Sequence, residues 1–283
     1  MKRFVLLMLV LFTVFGVSAC EKSQESTSTT SATTEERPVL VVGMEAAYAP
    51  FNWTVSADSA FESAVELYGS NNYVDGYDVV IAKLIAEELG YDLVIKAVEW
   101  DGLIPSLVVS EEIDLIIAGM SPTAERAQTV AFTSEYYQST HVVLLRSDSV
   151  YASSDSIDDF AGANGVAQLS TIYDDLIEQL SGVTHSDPLQ DVPTIVTAIN
   201  QGTYDLTILE LPVAQAIIAT NPDLTYIEFA EGSGFDIAYE DSAVAIALRL
   251  DDVELLTEIN AILENISSEE REAFMTEAIS RQP

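Results

Sequence analysis

Short apolar segments alternate with segments of helical periodicity along most of this chain. The predicted strands of the first half are Val39–Gly43, Tyr91–Val98 and Ile113–Ala118. The predicted helices between them are Val79–Leu89, capped by Asp78 and ended by Gly90, and Leu103–Val109. Strands that alternate with helices predict an α/β fold with largely parallel sheets.

The pattern starts again after a polar stretch near residue 150. The predicted strand His141–Arg146 precedes that stretch, and the predicted strands after it are Asn164–Gln168, Tyr204–Leu209 and Leu224–Phe229. The predicted helices are Ile172–Leu180, Val192–Asn200 and Pro212–Thr220. Residues 103–117 and 194–208 share isoleucine, Asp-Leu and isoleucine at matching places, which favours two related lobes. A strand over Val244–Leu250 and helices over Val253–Ile266 and Ser268–Ile279 are expected to return to the first lobe.

The segment GMSPTAER, Gly119–Arg126, follows one of these strands and is a candidate anion site. Ser121 before Pro122 is a favourable helix start, and the free amides of a first turn attract carboxylate or phosphate. Gly119 permits close approach to the backbone, and Arg126 can grip an anion with two parallel hydrogen bonds. An ordinary capped helix with a surface arginine is the alternative.

The N-terminus has the pattern of a secretion signal. Lys2 and Arg3 precede an apolar run over Phe4–Phe15 that is too short to span a bilayer. Val-Ser-Ala-Cys, ending at Cys20, resembles the lipobox of bacterial lipoproteins, which implies lipidation of that cysteine and a membrane anchor. An incidental cysteine in a secreted protein is the alternative. Residues 21–38 are rich in serine and threonine, as flexible tethers are.

The chain is strongly acidic. It has 46 Asp and Glu against 11 Lys and Arg, a net charge of −35. This balance argues against a nucleic-acid partner, because no basic surface is available to neutralise phosphates. The two histidines and one cysteine show no metal-ligand spacing and no catalytic triad, so neither cofactor nor metal is expected.

Five motifs, in this order and spacing, resemble the polar amino-acid-binding proteins of bacterial ABC importers. The motifs are GMEAAYAPFNW, DGYDVVIAKLIAEELG, EWDGLIPSL, IDLIIAGMSPTAER and VAFTSEYY. The resemblance extends from Val39 to about Phe229. It implies a two-lobe hinged α/β fold of the periplasmic-binding-protein type, which closes on a free amino acid and passes it to an ABC permease. The C-terminus lacks the Trp-Phe-Gly ending common in that family, and the irregular stretch Asn52–Asn72 is longer than usual.

The resemblance also implies roles for individual residues. Arg126 would hold the ligand's α-carboxylate, helped by Ser121 and by amides near Gly119 and Thr171, and Glu210 would hold the α-ammonium group. A zwitterion bound between opposite charges on two lobes would favour closure. The alternative for Glu210 is a solvated loop acid.

Further residues match positions around the ligand's side chain. Tyr48, Phe51 and Trp100 would pack against it, with Phe51 alternatively a core residue. Glu45 would contact the distal polar group, either a cationic side chain such as lysine, ornithine or arginine, or a glutamine amide. Gln168 would line the second lobe.

The resulting organisation has a lipoprotein signal peptide over 1–19 and the lipidated Cys20 with its linker over 20–37. Lobe 1 is predicted over 38–137 plus 242–283 and lobe 2 over 142–230, with hinge crossings near 138–141 and 231–241. The expected protein is a monomer, anchored by lipid (palmitate) on the extracytoplasmic side of the cell membrane. The alternatives are an enzyme similar to cyclohexadienyl dehydratases, which share the fold, and the sensor lobe of a signalling receptor.

Overall fold

The computed structural model describes residues 37–282. The predicted signal peptide, Cys20 and most of the linker lie outside the described residues. The strands are β1 (Val39–Met44), β2 (Ala47–Tyr48), β3 (Asn52–Val55), β4 (Val65–Glu66), β5 (Tyr73–Asp75), β6 (Asp92–Ala97), β7 (Leu115–Ile116), β8 (Ala131–Gln138), β9 (His141–Arg146), β10 (Asn164–Gly165), β11 (Thr184–His185), β12 (Leu206–Glu210), β13 (Leu224–Ile227) and β14 (Ala243–Leu248). The α-helices are α1 (Tyr77–Leu89), α2 (Leu103–Val108), α3 (Ile172–Leu176), α4 (Val192–Asn200), α5 (Leu211–Thr220), α6 (Val253–Glu264) and α7 (Ser268–Arg281).

Two five-stranded sheets share one topology. In the first, with order β6-β1-β7-β14-β8, β1 is parallel to both neighbours and β14 is antiparallel to both of its own. In the second, with order β11-β10-β12-β9-β13, β10 is parallel to both of its neighbours and β9 is antiparallel to both of its own. We call the parts of the chain built on these sheets lobe 1 and lobe 2.

The two similar sequence stretches occupy equivalent places in the two lobes. Residues 103–117 form α2 and β7, and residues 194–208 form most of α4 and β12. Both strands are the middle strands of their sheets. The shared pattern therefore marks the same helix-then-strand unit at the centre of each lobe.

The chain crosses between the sheets twice. It passes from β8 to β9 at Ser139 and Thr140, and it returns between β13 and β14. The strand β14 joins the first sheet, α6 contacts β8 and α1, and α7 contacts α1 of the same lobe. The exact lobe limits given above remain predictions.

The stretch Asn52–Asn72 is not irregular as expected. It supplies β3 and β4 to a four-stranded antiparallel sheet of order β2-β3-β5-β4. Leu67 also forms a bridge with Ile95 of β6, which joins this small sheet to lobe 1. Its buried residues Trp53 and Val55 alternate with exposed Thr54, a period-2 pattern too short to be distinguished from a loop in the sequence.

Two predicted helix starts are wrong. Asp78 does not cap α1, because the cap is Gly76 at φ +137° and Asp78 lies buried inside the first turn. A Cβ at residue 76 would lie 2.1 Å from the carbonyl oxygen of Phe51, so only glycine fits there. The end of α1 at Gly90, at φ +74°, is as predicted.

Ser121 and Pro122 do not begin a helix. The only helical residues in this segment are the single 3-10 turn Arg126–Gln128, where the Thr123 hydroxyl accepts a hydrogen bond from the Arg126 amide over 3.3 Å. Residues 121–125 belong to no helix, and β8 begins at Ala131. The predicted attraction of an anion to a helix N-terminus therefore has no basis at this segment.

The predicted helix Ile172–Leu180 is also shorter than expected. It consists of α3 followed by the 3-10 turn Ile177–Gln179. The other predicted helices and strands are present with ends shifted by a few residues. Within residues 37–282, no helix combines the length and the apolar character that crossing a membrane requires.

Candidate functional site

A small cavity lies between the lobes, beyond the carboxyl ends of strands from both sheets, where open α/β sheets bind ligands. It measures about 20 Å³, room for about one water molecule, so side chains of the two lobes meet across it. All the residues predicted to contact a ligand line it, except Phe51: Glu45, Tyr48, Trp100, Gly119, Ser121, Arg126, Gln168, Thr171 and Glu210.

The Arg126 guanidinium lies at one side of the cavity. Its Nη1 donates to the carbonyl of Ser121 over 2.9 Å, and its Nη2 donates to the carbonyl of Ser170 over 3.0 Å. The Trp100 ring lies beneath it, 5.2 Å from the guanidinium carbon. Within residues 37–282, no carboxylate oxygen lies within 4.0 Å of it. Burial lowers the pKa of Arg126, so its charge would be stabilised by an anion in the cavity.

Glu210 provides a carboxylate from lobe 2. It is the last residue of β12 and the residue before α5, and its side chain makes no capping bond. The hydroxyl of Tyr48, from lobe 1, donates a hydrogen bond to its Oε2. Burial raises the pKa of Glu210, although the hydroxyls of Tyr173 and Tyr48 partly offset this effect. A cationic group in the cavity would favour the ionised form.

Phe51 does not line the cavity but lies in the core of lobe 1. It is fully buried, and its ring stacks on Tyr48 with centroids 5.8 Å apart. The rings of Tyr77 and Tyr137 meet it edge-on at 6.1 and 6.0 Å. Phe51 is therefore a core residue, the alternative given for it above, and it packs against the Tyr48 ring that lines the cavity.

Glu45 forms an acidic end of the cavity. Its Oε1 accepts a hydrogen bond from Nε2 of Gln168 over 2.9 Å, across the two lobes. Burial raises the pKa of Glu45 to about 7, the Gln168 bond lowers it, and the charges of Asp191 and Glu99 raise it further. Three carboxyl groups near one another make this end of the cavity favourable for a cation.

The loop from Gln168 to Thr171 closes the cavity from lobe 2. The carbonyl of Ser170 accepts from Nε1 of Trp100 over 3.1 Å as well as from Arg126. Ser170 has a φ of +61°, which is strained for a residue with a side chain. The Thr171 hydroxyl donates to the carbonyl of Gln168 over 2.7 Å, which holds the loop in a tight turn.

Gly119 lines the cavity with its backbone. Its φ of +62° favours glycine, and a Cβ there would lie 3.4 Å from the Tyr48 ring. Its amide donates to the Tyr136 hydroxyl over 3.0 Å, so this amide is already paired inside lobe 1.

Two lining residues, Ile172 and Tyr173, are absent from the sequence-based predictions. Tyr173 is buried, and its hydroxyl interacts with Glu210 and Tyr48. The available signal was its position two residues after Thr171, in the first turn of α3. An aromatic residue at that position packs into a core as readily as into a cleft, so the sequence alone did not identify it.

Neither histidine of the chain lines the cavity. The His141 ring lies 5.6 Å from the Tyr173 ring, centroid to centroid, and burial lowers its pKa to about 4. His185 lies on lobe 2 with Nε2 2.6 Å from Oδ1 of Asp174. Over residues 37–282, no group of three or more His, Cys, Asp or Glu side chains is placed to hold a metal ion.

Comparison with known proteins assigns most of the chain to one family. Residues 40–277 match the model of the bacterial extracellular solute-binding proteins, family 3. The arginine-binding extracellular protein ArtP of Bacillus subtilis (strain 168) is 28% identical over 272 residues, 94% of this chain and 93% of that protein. A probable histidine-binding protein of Campylobacter jejuni is 29% identical over 246 residues, 85% of this chain and 87% of that protein.

Solved structures show the same architecture. The amino acid ABC transporter substrate-binding protein AbpA from Streptococcus pneumoniae, bound to L-arginine, superposes with a TM-score of 0.71 and 26% identity. The match covers 86% of this chain and 95% of that one. The predicted two-lobe α/β fold is thereby confirmed.

Proposed function

Because the chain belongs to family 3 of the bacterial extracellular solute-binding proteins, we propose that it captures a free polar amino acid between its lobes and delivers it to an ABC permease. The observation that carries this proposal is the placement of Arg126 and Glu210 at one cavity, on different lobes. An amino acid carries the complementary pair of charges.

The α-carboxylate is assigned to Arg126. Its two Nη atoms donate to backbone carbonyls in the closed cavity, and a carboxylate is a stronger acceptor for a guanidinium than a carbonyl is. Ser121, with the backbone near Gly119 and Thr171, completes this side. A bound carboxylate would also remove the cost of a buried guanidinium that lacks a counter-ion.

The α-ammonium group is assigned to Glu210. This carboxylate has hydroxyl partners but a raised pKa, so an ammonium partner would favour its ionised form. Because Arg126 and Glu210 belong to different lobes, a zwitterion joins the lobes when it binds. Closure by rotation about the two crossings near 138–141 and 231–241 would then be favoured by ligand.

The side chain of the ligand is assigned to the space between Trp100, Tyr48 and Glu45. Aromatic faces suit an aliphatic stem and attract a cation at its end. The group of Glu45, Glu99 and Asp191 favours a positive charge, which supports lysine, ornithine or arginine. The names of the arginine- and histidine-binding relatives are consistent with this choice. Glutamine, which could exchange hydrogen bonds with Glu45 and Gln168, is the alternative ligand.

The mature protein is proposed to be a monomeric lipoprotein. Cys20 would carry the lipid (palmitate), and residues 21–37 would hold the folded part away from the outer face of the cell membrane. Transport rather than catalysis is proposed, since neither histidine lies at the cavity and the named relatives are binding proteins.

A thermal-shift panel of free amino acids tests the proposal. Stabilisation grows as RT ln(1 + [L]/Kd), so the panel ranks ligands by affinity at one concentration. A cationic amino acid is expected to raise the melting temperature most. The largest shift with glutamine or an acidic amino acid would contradict the cationic assignment. No shift with any amino acid, or turnover of prephenate or arogenate, would contradict the proposed function itself.

A further inference from the structure

Asp78 is a buried carboxylate of lobe 1 that lies outside the cavity. It is fully buried in the first turn of α1. Its Oδ1 accepts from the Tyr136 hydroxyl over 2.7 Å, and its Oδ2 accepts from Nδ2 of Asn52 over 2.8 Å. Within residues 37–282, no Lys, Arg or His nitrogen lies within 4.0 Å of it. Two neutral donors thus hold a carboxyl group that has no cation; burial raises its pKa to about 7, although the bonds from Tyr136 and Asn52 lower it.

The first of these donors leads to Gly119. The Tyr136 hydroxyl donates to Asp78 and accepts from the Gly119 amide over 3.0 Å. Because a hydroxyl has a single proton, the acceptor at Asp78 fixes its direction and leaves its lone pair for Gly119. Gly119 in turn lies against the Tyr48 ring at the cavity wall.

The second donor leads to the turn that carries Glu45. Nδ2 of Asn52 donates to Asp78, and its Oδ1 accepts from the Ala46 amide over 2.7 Å. Ala46 has a φ of +57°, an uncommon conformation for a residue with a side chain. This strained residue lies between Glu45 and β2, which carries Tyr48. The acceptor at Asp78 determines which way the Asn52 amide faces.

We propose that Asp78 is a positioning residue for ligand binding. It fixes the backbone at Gly119 through Tyr136, and it fixes the turn from Glu45 to Tyr48 through Asn52. The inference rests on the proposed function, because it assumes that these segments contact the ligand. Burying a charge without a cation costs free energy. In return, its two oxygens accept from Tyr136 and Asn52, which hold two different cavity-lining segments. The asparagine isostere has only one acceptor oxygen and cannot accept from both in the same way.

Asp78→Asn tests this geometry. The asparagine has one acceptor oxygen, so at least one of the present donors loses its acceptor. If that oxygen stays with Tyr136, the new amide nitrogen faces Nδ2 of Asn52; if Asn52 turns over, its Nδ2 faces the Ala46 amide instead. If the oxygen faces Asn52, the hydroxyl proton of Tyr136 loses its acceptor. Every arrangement therefore leaves one hydrogen bond unmade. The expected result is about tenfold weaker binding of L-arginine, the equivalent of one lost buried hydrogen bond.

The exchanged double variant Asp78→Asn with Asn52→Asp restores every contact. Residue 52 then accepts from the Ala46 amide and from the residue-78 amide, which still accepts from Tyr136. Binding is expected to return to within about threefold of the wild type. Asn52→Asp alone, which places two carboxylates together, is expected to bind worse than the double variant.

Tyr136→Phe and Tyr77→Phe form a matched pair. Both residues are fully buried tyrosines, but the Tyr77 hydroxyl donates to the Tyr136 carbonyl, over 2.7 Å, and makes no hydrogen bond to Asp78 or to Gly119. Loss of affinity is expected for Tyr136→Phe alone. Hydrogen exchange of the Gly119 amide in the free protein should also be faster in Tyr136→Phe and Asp78→Asn than in Tyr77→Phe.

The outcomes separate this inference from the function that it assumes. If Asp78→Asn has a lower free energy of unfolding but unchanged affinity for L-arginine, Asp78 has only a structural role and the inference is overturned. The inference is also overturned if the double variant does not bind L-arginine better than both single variants. If the wild type binds no amino acid, the proposed function fails, while exchange of the Gly119 and Ala46 amides still decides whether Asp78 holds both segments.

Discussion

Gln168 of lobe 2 donates a hydrogen bond from Nε2 to Oε1 of Glu45 in lobe 1, over 2.9 Å. Its Nε2 also lies 3.1 Å from the carbonyl of Gln190, so the amide is anchored on its own lobe. Glu45 therefore meets an uncharged donor in the closed cavity. A cationic ligand end would replace this donor with a charged one, and a charge-assisted bond is the stronger of the two.

Glu45→Gln should change ligand selectivity. Without the carboxylate, binding of L-arginine should weaken by about tenfold or more, while binding of L-glutamine should change much less. The measurement is the ratio of the two dissociation constants by calorimetry. Glu66→Gln, an exposed change of the same charge on β4, is the matched control. An unchanged ratio in Glu45→Gln would contradict the assignment of Glu45 to the distal cation.

Binding of L-arginine should strengthen as the pH rises from about 6 to 8. Burial raises the pKa of Glu45 to about 7, so this carboxyl is mainly protonated below that pH and ionised above it. A cationic ligand stabilises only the ionised form, and at pH 7 its binding should release protons. Calorimetry in buffers of different ionisation enthalpy measures the release. If the affinity of Glu45→Gln for L-arginine depends on pH as steeply as that of the wild type, the pH dependence belongs to another group.

Phe51→Leu should affect stability rather than binding. The ring is fully buried and touches Tyr48, Tyr77 and Tyr137, so its truncation should lower the free energy of unfolding by about 1–2 kcal/mol. The dissociation constant should change by less than about threefold. Urea denaturation and calorimetry check the two quantities. If Phe51→Leu has the stability of the wild type but binds L-arginine much more weakly, Phe51 contacts the ligand after all.

Much of the fold could be predicted because it depends on local periodicity. The helical spacing of Ile81 and Ile85 and the stop at Gly90 are local signals, and both are present in the structure. The strand His141–Arg146 has the predicted limits. Nine predicted ligand-contacting residues line one cavity because their motifs follow strands whose carboxyl ends meet there.

The errors occur where distant contacts outweigh local ones. Ser121 and Pro122 have the residue types of a helix start, but the Ser121 carbonyl accepts from the Arg126 side chain and only the 3-10 turn Arg126–Gln128 precedes β8. Asp78 has the type of a cap, but Tyr136 and Asn52 bind its carboxylate inside the lobe. Whether an aromatic such as Phe51 faces the core or the cleft depends on packing that no local pattern encodes.

The central claim is that Arg126 holds a ligand carboxylate between the lobes. Calorimetric titration of the wild type and of Arg126→Ala with L-arginine tests it most directly, with Arg146→Ala, an arginine of lobe 2 paired with Asp148 at 3.2 Å, as the control. The wild type and the control should bind. Arg126→Ala, with an unchanged circular dichroism spectrum, should bind about a hundredfold more weakly, a loss of about 3 kcal/mol for two charge-assisted bonds. Agmatine, which lacks the carboxylate, should bind the wild type more weakly than L-arginine does, by a similar factor. Undiminished affinity of Arg126→Ala for L-arginine would contradict the account.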